Sequence, residues 1–101
     1  MLNVPEEELR RLCGRWGIRE LSLFGSVLRG ESGPESDVDL LVEFEDNIPI
    51  TLLDFVNIRY ELVRLFNRKV DLISKRGLLN SGNAMRREEI LNTARTIYEK
   101  A

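Results

Sequence analysis

Two aspartates separated by a single residue, Asp37 and Asp39, are the side chains of this sequence whose type and spacing point most directly to chemistry. On an extended backbone, residues two apart project from the same face, so this pair can grip one hard cation or bridge two. The chain contains no histidine, which removes the usual general base, the Ser-His and Cys-His nucleophile pairs and the commonest transition-metal ligand. Any catalysis must run on carboxylates, hydroxyls and cations. A donor set of aspartates suits magnesium, which takes a few carboxylates together with waters and the oxygens of a bound phosphate. Asp71 is the third carboxylate of the set, because it is flanked by Val70, Leu72 and Ile73 and is not a routine surface charge. Gly25 and Ser26 supply the complementary feature: glycine lets a phosphate approach the backbone, and the serine adds a hydroxyl donor. Arg29 joins them as a nucleotide-binding candidate, with a pairing to Glu31 as its alternative.

The elements that must position these residues follow from periodicity. Leu9, Leu12, Cys13 and Trp16 recur at helical spacing behind Pro5 and three glutamates, and Gly17 stops the helix. Glu20 to Phe24 alternates as a short strand and runs into Gly25. The stretch from Glu31 to Ser36, with Gly33 and Pro34, reads as a loop, and Val38 to Phe44 as a central strand. Thr51 and Asp54 form a capping box that opens a helix to about Phe66. Lys69 to Ser74 is a third strand, and Ile90, Leu91, Ala94, Ile97 and Tyr98 mark a final helix. Asp71 falls beside Asp39 if their strands run parallel, joined by the Thr51–Phe66 helix as a crossover. Gly25 reaches Asp37 if the first strand is antiparallel to the second.

Composition narrows the function. A chain of 101 residues allows one domain, spanning 1–101, with 43% hydrophobic and 32% charged residues in the ordinary soluble range. No apolar run approaches the roughly 20 residues that span a bilayer, and Met1 to Arg11 is charged where a signal peptide is apolar. The expectation is a cytoplasmic protein away from the membrane. The single Cys13 reads as a core residue. A net charge of −2 makes long nucleic acid an unlikely partner. Between Glu31 and Asp46 lie seven carboxylates and no cation, of which Glu43, Glu45 and Asp46 read as solvated strand-exit residues. Lys75 and Arg76 either neutralise phosphate or form a solvated strand end. Trp16, Phe55, Tyr60 and Phe66 read as core.

The strings Leu23-Phe-Gly-Ser-Val-Leu-Arg-Gly-Glu31, Ser36-Asp-Val-Asp-Leu-Leu-Val-Glu-Phe44 and Val70-Asp-Leu72 resemble the nucleotidyltransferase superfamily of DNA polymerase beta. The similarity is greatest to the minimal nucleotidyltransferases found as antitoxins beside HEPN-domain toxins. The resemblance implies an α+β, two-layer nucleotidyltransferase fold, a small mixed sheet of about three strands packed with about four helices. It further implies that Asp37, Asp39 and Asp71 are catalytic and hold one or two Mg2+ ions, with Gly25 and Ser26 cradling the phosphates of ATP. The implied reaction moves AMP onto a hydroxyl, in the antitoxin relatives a tyrosine of the HEPN partner, with a homo- or hetero-oligomer completing the acceptor site. Two alternatives stay open: a nucleotide-binding antitoxin that neutralises its partner by contact, and a transferase acting on an RNA 3′ end or a small molecule.

Overall fold

A computed structural model describes residues 4–25 and 37–100. The element order is α1 (Glu6–Trp16), β1 (Ile18–Phe24), β2 (Val38–Phe44), α2 (Leu52–Phe66), β3 (Val70–Ser74), α3 (Lys75–Leu79), α4 (Ala84–Thr93) and β4 (Arg95–Glu99). The strands form one sheet in the order β3-β2-β1-β4. β1 pairs antiparallel with β2, and β2 pairs parallel with β3 through the α2 crossover. Both orientations are those the sequence requires to bring its acidic residues to the Gly25 turn.

The local reasons are in the chain. Glu6, Glu7 and Glu8 face the positive end of α1, and Gly17 ends it with φ +68°, its N–H donating to the Cys13 carbonyl. Thr51 and Asp54 make the expected reciprocal capping box: the Asp54 N–H donates to Thr51 Oγ1 at 3.1 Å and the Thr51 N–H to Asp54 Oδ2 at 3.0 Å. Period-two alternation then sorts the sheet. Val38, Leu40, Val42, Val70 and Leu72 point to one face and pack with Leu9, Leu12 and Cys13 of α1 and Ile58, Leu62 and Phe66 of α2. Each fully buried Leu or Ile in this layer contributes about 1.5–3 kcal/mol. A second, smaller cluster lies on the opposite face, where Phe24, Leu41 and Ile73 meet Leu78 of α3, Ile90 of α4 and Ala94 just after it.

Two expectations are corrected. The final helix ends at Thr93, and Arg95–Glu99 is a fourth strand antiparallel to β1. Thr96, Ile97 and Tyr98 are β-branched or aromatic, and the open edge of β1 offers a hydrogen-bonding ladder that outweighs a helical pattern. Ile97 and Tyr98 both reach the main core because the register shifts opposite Leu21 and Ser22, at a bulge. Tyr60, taken as core, is 58% exposed on the outer face of α2. Trp16 packs against the core as expected, and its Nε1 donates to Glu61 Oε2 at 2.8 Å, tying α1 to α2. Among the described residues, no helix is long and apolar enough to cross a membrane.

Candidate active site

The polar end of the second sheet face is built by register. Phe24 is the Cα partner of Asp39 across β1 and β2, and Asp39 is the partner of Asp71 across β2 and β3. Because Val38 and Val70 are buried on the side covered by α1 and α2, Asp39 and Asp71 both project from the other. Asp37 stands immediately before β2, and the Val38 N–H donates to the Lys69 carbonyl at 2.8 Å, which fixes the start of both strands at one level. Asp39 is half-buried, while Asp37 and Asp71 are exposed.

Gly25 completes this end. Its φ is +79°, and a Cβ built on it would lie 2.2 Å from Asp39 Oδ2 and 3.1 Å from Asp39 Cγ. A side chain at position 25 is therefore excluded twice, by backbone conformation and by the carboxylate. Ser26 and Arg29, and the stretch from Glu31 to Ser36 that composition reads as a loop, lie outside the described residues.

Among the described residues, no three acidic side chains lie close enough together to enclose a metal ion by themselves. Magnesium does not need such a cage, since it keeps several waters and binds through one or two carboxylates plus substrate phosphates. Three aspartates at one sheet end, beside the Gly25 turn, fit an ion that arrives with a triphosphate. Two depressions border this face, one of about 150 Å³ lined by Phe24, Gly25, Arg86, Glu89, Ile90 and Thr93, and one of about 360 Å³ that includes Leu72, Ile73, Ser74 and Arg86. A larger groove, about 740 Å³, is elsewhere: it lies beyond Val42, Glu43 and Ser74 at the far end of β2 and β3. From Asp39 to Glu43 the strand advances about 13 Å, so that groove does not hold the acidic residues.

The cations and remaining acids sort accordingly. Lys75 follows β3 at the far end and pairs with Glu43 at 3.5 Å, and Arg76 lines the same groove, so neither neighbours Asp71. Glu45 pairs with Lys100 and Asp46 with Arg19 at 3.2 Å, so these carboxylates carry partners where the sequence suggested only solvent. Arg86 borders the acidic face from α4 and was not marked by any sequence motif.

Comparison with known proteins decides the family. A model of the nucleotidyltransferase domain matches residues 6–97. The chain belongs to the nucleotidyltransferase domain family. Among its relatives is the protein adenylyltransferase MntA of Thermococcus cleftensis, 44% identical over 78 residues, which cover 77% of this chain and 74% of the relative. A solved structure of a candidate minimal nucleotidyltransferase superposes with a TM-score of 0.68 at 40% identity, over 88% of this chain and 85% of that chain. A tri-AMPylated HEPN toxin in complex with an MNT antitoxin, from Shewanella oneidensis, matches with a TM-score of 0.61 over 94% of this chain and 70% of that chain. At 16% identity this last likeness speaks for the fold alone. The mixed sheet and four helices agree with the nucleotidyltransferase fold, with one strand more than the sequence reading counted. The protein is a nucleotidyltransferase by sequence and by fold.

Proposed function

We propose that this nucleotidyltransferase moves AMP from ATP onto the hydroxyl of a tyrosine in a HEPN-type partner protein. The observation that carries the reading is the side-by-side placement of Asp39 and Asp71 on parallel strands, at the level of the Gly25 turn. A relative named for protein adenylylation supports a protein acceptor, and the resemblance of the Gly-Ser and Asp-x-Asp strings to the antitoxins of HEPN toxins points to the tyrosine.

In this account Asp37 and Asp39 hold Mg2+ against the triphosphate, and Gly25 and Ser26 bind phosphate oxygens. Asp71 faces the acceptor, where its carboxylate orients the hydroxyl and takes up its proton. The bound metal neutralises charge on the phosphate oxygens and stabilises the leaving pyrophosphate. The attacking oxygen forms a bond to the α-phosphorus as the bond to the pyrophosphate oxygen breaks. Arg29 contributes a phosphate contact. Among the described residues this face shows no deep acceptor pocket, which fits an acceptor delivered by a second chain.

The test is incubation of the purified chain with magnesium and ATP labelled at the α-phosphate, with and without the product of the adjacent gene. Label is expected on the partner, and not when Asp37 and Asp39 are both changed to Asn. Undiminished labelling by that double variant refutes the site assignment. A second reading, masking of the partner by contact alone, draws on the exposed Leu52, Leu53, Val56 and Tyr60 of α2. It predicts that the double variant still neutralises the partner without transferring label. Label on RNA or a small metabolite, and none on protein, would move the acceptor to those classes.

A further inference from the structure

Arg86 is the third residue of α4, and its backbone N–H donates to Asn83 Oδ1 at 3.1 Å, so the side chain of Asn83 caps this helix start. The guanidinium is a separate matter: it is exposed and forms no hydrogen bond or ion pair among the described residues. Arg87 beside it is half-buried and committed to structure, with Nη1 donating to the Ser81 carbonyl at 2.9 Å.

The position of Arg86 is defined by what it borders. It lines the depression containing Phe24 and Gly25, and also the one containing Leu72 and Ile73. Phe24 is the strand partner of Asp39, and Ile73 is the residue two after Asp71 on the same face. Arg86 therefore borders, from the α4 side, the strip of sheet that carries the acidic residues. No described carboxylate forms an ion pair with this guanidinium, which leaves its donors available to an anionic ligand. A triphosphate laid on this face adds negative charge where aspartates already concentrate it, so a fork of guanidinium donors on the Gly25 side matches the need.

We propose that Arg86 is a nucleotide-binding residue that grips the β- and γ-phosphates of the bound nucleoside triphosphate from the α4 side. The proposal rests on the nucleotide-transfer reading above and adds a residue that the sequence motifs do not contain.

The test is equilibrium binding of a non-hydrolysable ATP analogue with magnesium, and separately of AMP. It compares the wild-type chain with Arg86→Gln, Arg86→Lys and the control Arg10→Gln, an exposed arginine of α1 on the opposite side of the sheet. Arg86→Gln is expected to weaken the analogue by roughly tenfold or more, the scale of a lost charge-assisted hydrogen bond. Arg86→Lys should weaken it less, and AMP binding, the melting temperature and the control should not change. If the wild type binds the analogue and Arg86→Gln binds it equally well, the proposal is overturned and the nucleotide reading stands. Equal loss of AMP and analogue also overturns it, because the effect is then not one on the terminal phosphates. A wild type that binds neither ligand overturns the nucleotide reading itself, and the proposal with it.

Discussion

At the scale of single residues, Gly25 carries the sharpest constraint, because Asp39 Oδ2 occupies the space a methyl group would need. Gly25→Ala is expected to abolish AMP transfer in a labelling assay. The left-handed backbone adds a stability loss of about 1–2 kcal/mol, read by urea denaturation. Cys13 gives a second prediction. Burial pushes its thiol from the ordinary value of 9.0 up to about 12, so in the window between these values the unfolded chain has lost a proton that the folded chain keeps. Stability contributed by the neutral thiol is thus present below pH 9 and falls as pH rises, by up to about 1.4 kcal/mol per pH unit. Urea midpoints measured across that window should fall less steeply for Cys13→Ala than for wild type, although the variant is less stable at neutral pH. Residue types made Asp37, Asp39, Asp71 and Gly25 legible from sequence because their spacing has meaning on a strand. Arg86, Arg19 and Lys100 were not legible in this way: each finds its place through a contact distant in the chain.

At the scale of elements, what could be read was what local chemistry decides. The Thr51–Asp54 cap was visible as a three-residue spacing, and the structure contains both of its hydrogen bonds. Thr51→Ala should cost about 1 kcal/mol in urea denaturation without altering the sheet. The parallel pairing of β2 and β3, a condition in the sequence that the Thr51–Phe66 helix could meet as a crossover, is present and places Asp39 opposite Asp71. β4 was hidden because Ile90, Ala94, Ile97 and Tyr98 also satisfy helical spacing, and no glycine or proline interrupts them. What ends α4 is tertiary: Ala94 adopts an extended backbone, with φ −62° and ψ 138°, and the chain then joins the edge of β1. Tyr60 illustrates the same limit, since an aromatic at helical spacing can fall just outside the buried stripe.

At the scale of the whole molecule, the sheet separates two regions. The aspartates and Gly25 occupy one end of β2 and β3, and the groove of about 740 Å³, lined by Ile48, Leu52 and Leu79 among others, occupies the other. Leu52 is 81% exposed there, so Leu52→Lys should change stability by no more than about 0.5 kcal/mol. It should also leave nucleotide affinity unchanged, as measured by calorimetry. The central claim is that the acidic end binds metal and triphosphate as one unit, and the most direct measurement is the magnesium dependence of binding of a non-hydrolysable ATP analogue. The account predicts that magnesium strengthens binding to the wild type and has no effect on Asp37→Asn/Asp39→Asn. Magnesium-dependent binding of undiminished strength in that double variant would contradict it.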